Sequence, residues 1–241
     1  MDYLTRQMLK KALAVAVRQH GGILNQAQFA RLLHLSMASV RGLLRAMLAL
    51  GWTRLLPAYC PPGNRGCFRR PRINVVSAPL LALGLGPGHR ERVDAASIVE
   101  GIIRAELRTS GTSNVFSFGT YDMRSLDLIV ERDGVRMGYL IMESEFPRRR
   151  ETSPLRRAVA SGAVSKAYLL HSGVRGFFCG RGVIAVPAPV FLARYEDFTA
   201  PQDRYEGWHL MLRWLNRAGV GPSPEEEESR AHQAHQGDRG A

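Results

Sequence analysis

Two apolar, strand-like runs flank an Asp133-Gly134 pair, and that arrangement constrains the fold of this 241-residue chain more than any other. Ser125-Leu-Asp127-Leu-Ile-Val-Glu131 leads into the pair, and Val135 to Glu143 leads out of it through Tyr139-Leu-Ile-Met-Glu143-Ser-Glu145. Asp-Gly between apolar runs signals a hairpin, because both residues tolerate the positive φ of a tight turn. Carboxylates are rare in such runs, since burying one is costly unless something pairs with it. Register decides what these can do together. A two-residue turn pairs Asp127 with Leu140 and leaves Glu143 on the opposite face of the sheet. A three-residue loop, or one bulge, moves the partner to Ile141 and brings Glu143 onto Asp127's face.

The length suits one large domain or two modest ones, each able to bury a core. No apolar run approaches the roughly 18 residues of a membrane span. The N-terminus carries an acidic residue and an amphipathic pattern where a secretion signal would have a basic stretch and then a continuous apolar one, so a cytoplasmic protein is expected. The net charge is +12, and the excess is almost all arginine: Lys10, Lys11 and Lys166 are the only lysines among 33 basic residues. Arginine's planar fork matches phosphate bidentately, so the balance favours a polyanionic partner; a GC-rich genome would enrich arginine without it. Of three cysteines, Cys60 and Cys67 bracket Pro-Pro-Gly-Asn-Arg-Gly and could bridge across a hairpin. No second Cys/His pair stands at zinc-finger spacing.

Residues 2–19 read as a helix with apolar positions at Leu4, Met8, Ala12, Val15 and Ala16, ended by Gly21-Gly22. A short helix follows over Asn25–Leu33 with Asn25 as N-cap, then His34-Leu35-Ser36, then a helix over Met37–Leu50 with a serine cap. Trp52–Leu56 and Phe68–Val76 read as strands joined through the Cys60–Cys67 turn. Over residues 1–77 this order resembles a winged helix-turn-helix. The resemblance implies that the third helix enters the major groove with Ser39, Arg41 and Arg45, and that Arg65, Arg69, Arg70 and Arg72 of the hairpin touch the DNA backbone. Winged helices also serve as dimerisation modules. Residues 78–92, rich in Gly and Pro, read as a linker.

From Asp94 to about Ser110 a helix carries Ile98, Val99, Ile102, Ile103 and Leu107 on one face, with Glu106 near its middle and Glu100 at its margin. Strands are expected at Asn114–Phe118, Ser125–Glu131, Val135–Glu143, Lys166–His171 and Val183–Val186. Helices are expected near Pro154–Ala163 and Tyr205–Arg217, and disorder from about Gly219. Helix, three strands, helix, strand over residues 94–193 is similar to the PD-(D/E)XK nuclease superfamily, on Ser97-Ile-Val-Glu100, Leu126-Asp127-Leu-Ile-Val and Ile141-Met-Glu143-Ser-Glu145. Val183-Ile-Ala-Val-Pro-Ala-Pro-Val-Phe-Leu also resembles the closing strand of the version attached to archaeal ATPases. What the resemblance implies is a Mg²⁺ held by Asp127 and Glu143, with Glu100 reaching the site from the helix and Glu106 as its competitor. That metal would polarise a phosphodiester and activate water. Glu145 stands where the family usually has a lysine.

Two other readings stay open. Asp127, Glu143 and Glu145 could instead pair with arginines, Arg148-Arg149-Arg150 above all, as a solvated network. Glu106-Leu-Arg-Thr-Ser-Gly, Phe116-Ser-Phe-Gly119, Tyr139-Leu-Ile and Val164-Ser-Lys166 resemble the C-terminal domain of archaeal tRNA-splicing endonucleases. That family cuts RNA with Tyr, His and Lys; Lys166 matches the lysine, but Met142 stands at the histidine position, which implies a noncatalytic subunit. The fold expected is α+β: a winged helix-turn-helix (1–77), a linker (78–92), a restriction-endonuclease-like α/β domain with a central mixed sheet (93–218), and a tail (219–241). The function expected is binding of DNA before RNA by a homodimer away from membranes, with Mg²⁺-dependent cleavage if the site is intact. The alternative is a non-catalytic regulator or structural subunit.

Overall fold

A computed structural model describes residues 3–60, 70–85, 90–110, 114–119, 125–144, 147–180 and 182–199. The expected helix at Tyr205–Arg217, the tail, Cys67, Arg65, Arg69 and Glu145 lie outside them. The fold is mixed α and β, with a two-stranded sheet and a six-stranded mixed sheet. The chain divides into two compact units, Met1–Glu131 and Arg132–Ala241.

The first unit opens with α1 (Tyr3–Arg18), α2 (Gln26–Leu33) and α3 (Met37–Ala49). Its core gathers Leu9, Ala12 and Ala16 of α1, Phe29 of α2, and Val40, Leu44 and Met47 of α3, all buried. The expected caps form. Asn25 Oδ1 accepts from the Gln28 amide at 3.0 Å and Ser36 Oγ from the Ser39 amide at 3.1 Å, each satisfying an otherwise orphaned helix donor. Between α2 and α3, His34 adopts the left-handed region (φ 53°), and the chain direction turns by 104° within three residues.

Strands β1 (Thr53–Leu56) and β2 (Arg72–Val75) then pair antiparallel, Thr53 opposite Val75 and Leu56 opposite Arg72. Within the stretch read as a linker, residues 78–85 and 90–92 are helical. Helix α4 (Ala78–Leu85) packs on α1, α5 and β2, and its Leu81 is fully buried in the same core. Pro79 in the first turn removes a donor that had no helical partner anyway, and Ser77 Oγ accepts from the Leu80 amide at 3.4 Å. Helix α5 (Arg90–Ser110) follows, then β3 (Val115–Gly119) and β4 (Ser125–Arg132).

The second unit holds β5 (Val135–Met142), a 3-10 turn (Arg149–Thr152), α6 (Ser153–Ala160), β6 (Lys166–His171), β7 (Phe177–Gly180), β8 (Val183–Pro187), α7 (Ala188–Ala193) and α8 (Tyr195–Thr199). Strand β6 runs parallel to β5 and β8, so α6 is a crossover helix, while β7 returns antiparallel to β8. The order across the sheet is β3-β4-β5-β6-β8-β7. The closing segment needs correction: the strand stops at Pro187, and Val190-Phe-Leu-Ala lies in α7. Pro187 and Pro189 cannot donate to a ladder but suit a first helical turn. An aromatic core of Tyr139, Tyr168, Phe191 and Phe198 lies beneath, with Tyr139 and Tyr168 stacked at 5.4 Å.

Candidate functional site

Helix α3 exposes a stripe of Ala38, Arg41, Gly42, Arg45 and Ala49, with Ser39 beside it, and buries Val40, Leu44 and Met47 on the other side. The spacing of three and four residues keeps that stripe on one face. Apart from its two arginines the stripe carries small side chains. Arg41 and Arg45 lie one helical turn apart, about 6 Å along the axis. Ser39 is exposed, and its hydroxyl is shared with the Ser36 cap at 2.9 Å. A helix with no acidic residue, whose outer face is thin except for two guanidinium groups, suits a groove lined by phosphates and base edges.

The arginines expected on the hairpin do not all face outward. Arg70 is exposed. Arg72 turns inward and donates to the carbonyls of Phe118 (3.3 Å) and Leu126 (3.5 Å). Burial pulls its guanidinium below the usual arginine range, and the charge of Asp127 opposes that. Arg54, on the neighbouring strand, is also drawn in. Its Nη2 lies 3.6 Å from Glu100 Oε1, and Arg104 Nε donates to the same oxygen at 3.1 Å. The reason is electrostatic: a carboxylate leaving water needs a cation, and β1 and the next turn of α5 each offer one.

Those pairings bear on the metal expected at Asp127, Glu143 and Glu100. Glu100, whose side chain is only 11% exposed, is engaged by two arginines, and Asp127 sits in the field of a third. The turn between β4 and β5 has two residues, with φ of 51° at Asp133 and 77° at Gly134, the regular type I′ form. Glu143 is exposed, and its carbonyl accepts from the Ser172 hydroxyl. Glu106 is buried on α5. Among the described residues no group of three or more His, Cys, Asp or Glu could hold a metal ion. Glu145, the remaining carboxylate of that set, lies outside the described residues. The cations beside Glu100 come from β1 and α5, Arg54 and Arg104, and the one whose titration Asp127 influences, Arg72, from β2.

Lys166 opens β6 and His171 closes it, five residues and about 16 Å away along the strand. His171 is fully buried, its Nδ1 accepts from the Gly173 amide at 3.1 Å, and burial lowers its pKa to about 4, with the Arg175 backbone opposing. Tyr139 is also fully buried, in the aromatic core. Among the described residues, Tyr139 and His171 are thus buried, and Lys166 stands at the opposite end of β6 from His171.

The charge of the chain is concentrated in its first third. Residues 1–77 carry twelve basic residues against a single acid, Asp2, so +11 of the chain's +12 resides there. On α1 the exposed cations are Arg6, Lys10, Lys11 and Arg18. No protein-family model matches this chain, and neither a curated protein nor a solved structure does.

Proposed function

We propose that this protein binds duplex DNA through α3, in the manner of a winged helix-turn-helix, and that its nuclease-like portion is a non-catalytic scaffold. The observation that carries the reading is the α3 face: two arginines one turn apart on a stripe of Ala and Gly, on a helix set at 104° to its predecessor. Helix-turn-helix pairs cross at about 90–120° through a short turn. Thin side chains let the backbone approach the groove floor, and arginine reads guanine or grips phosphate with two parallel hydrogen bonds. The first 77 residues add a field that attracts polyanions. The arginine-bound carboxylates favour a regulator or assembly subunit over a metal-dependent nuclease.

The test is anisotropy titration of a labelled duplex with wild type and an Arg41→Ala/Arg45→Ala variant, alongside plasmid incubation with Mg²⁺ or Mn²⁺. The double variant is expected to keep its fold and bind at least about tenfold more weakly, since each such contact is worth roughly 1–3 kcal/mol. No cleavage is expected. Wild-type affinity in the folded double variant would refute the reading of α3, and cutting that Asp127→Asn abolishes would restore the nuclease.

A further inference from the structure

We infer that Glu100 and Asp127, the carboxylates that a metal site would claim, are positioning residues that clamp the basic β1–β2 ribbon onto α5 and β4. Glu100 lies 3.6 Å from Arg54 of β1, and the charge of Asp127 on β4 acts on Arg72 of β2, whose guanidinium donates to the carbonyls of Phe118 and Leu126 beside it. These partners lie 46 and 55 residues apart in the chain, so each pair joins separate stretches of the first unit. Two backbone bonds bind the same place: the Ser117 amide donates to the Pro57 carbonyl at 2.8 Å, and the Tyr59 amide to the Ser117 carbonyl at 2.7 Å. Arg72 adds its donations to the carbonyls of Phe118 and Leu126.

The environment makes the clamp specific. Arg54 Nε is buried without a hydrogen bond, so its guanidinium is held inward by the attraction of Glu100 rather than by solvent. Removing either acid leaves a half-buried cation with no counter-charge, the costly half of a broken pair. The consequence for the ribbon is a sorting of its cations. Arg54 and Arg72 are spent on the fold, while Arg70 stays exposed beside them for a polyanion. The sign of the mutational effect separates this arrangement from a metal centre. Carboxylates gathered for a cation repel one another without it, so neutralising one stabilises the metal-free protein. Counter-ions of buried arginines do the opposite.

The clamp itself does not depend on DNA binding; only the DNA arm of its test rests on the function proposed above. In metal-free buffer, Glu100→Gln and Asp127→Asn are each expected to lower the Tm by roughly 2–4 °C. The exchange Arg54→Glu/Glu100→Arg should recover most of what either single change loses. Wild type should gain no Tm from 5 mM Mg²⁺ or Mn²⁺, and Glu100→Gln should weaken duplex binding severalfold while Glu100→Asp retains it. A Tm that rises or holds on neutralising the acids, or an exchange that recovers nothing, overturns the clamp. A divalent-ion gain that Asp127→Asn removes overturns it in favour of metal. If wild type itself binds no duplex, the DNA proposal fails while the melting data still decide the clamp.

Discussion

At His171 the folded state refuses a proton that the unfolded chain accepts. The ring is fully buried at the end of β6, and burial holds its pKa near 4 against an ordinary value near 6.5. The folded-state pKa is depressed, so protonation favours the unfolded chain. The contribution to stability is complete above about pH 6.5 and is lost progressively as pH falls toward 4. Its ceiling is about 3 kcal/mol. Urea unfolding at pH 7 and pH 4.5 should show a fall of that order, and His171→Phe should flatten it. An unchanged pH slope in the variant would mean that carboxylates alone govern the acid limb. The residue scale is also where sequence reading was weakest. That Asp127 needed a partner could be argued from burial cost alone. That its charge acts on Arg72, 55 residues upstream, could not, because periodicity identifies a buried face but not what covers it.

Elements were more legible, and for local reasons. Asn25 and Ser36 cap their helices because a short polar side chain reaches amides two or three residues on, a contact written within four residues of sequence. Strand β6 spans Lys166–His171 as read, a continuous run suited to a parallel strand covered on both faces. Less legible were the stretches where local chemistry is ambiguous. Leu80-Leu81-Ala82 among Pro and Gly serves equally as a linker or a helix, and tertiary burial of Leu81 decides for α4. Strand β7 is four residues bounded by glycines, too short for a period to register. The Asp133–Gly134 turn makes a prediction at this scale. A Cβ at Gly134 meets no atom within 4 Å, so Gly134→Ala is penalised only for its φ of 77°. The loss should be about 1 kcal/mol in chemical denaturation with an unchanged m-value. A neutral result would show that the turn readily adopts another form.

For the molecule as a whole, charge is the organising quantity. Beyond residue 77 the basic residues exceed the acidic ones by one, whereas the first 77 hold +11. Within the first unit Glu100 pairs with Arg54 and the charge of Asp127 acts on Arg72, while α1, α3 and Arg70 present exposed cations. Such a surface should bind DNA by releasing counterions, with affinity that falls steeply with salt. The most direct measurement is the slope of log K against log salt concentration for a 25-base-pair duplex. Wild type should give a slope of about −4 or steeper, and Arg41→Ala/Arg45→Ala should be shallower by about 2, one for each lost phosphate-equivalent contact. A wild-type slope near zero, or equal slopes in the two proteins, would contradict the assignment of α3 as the DNA-binding face.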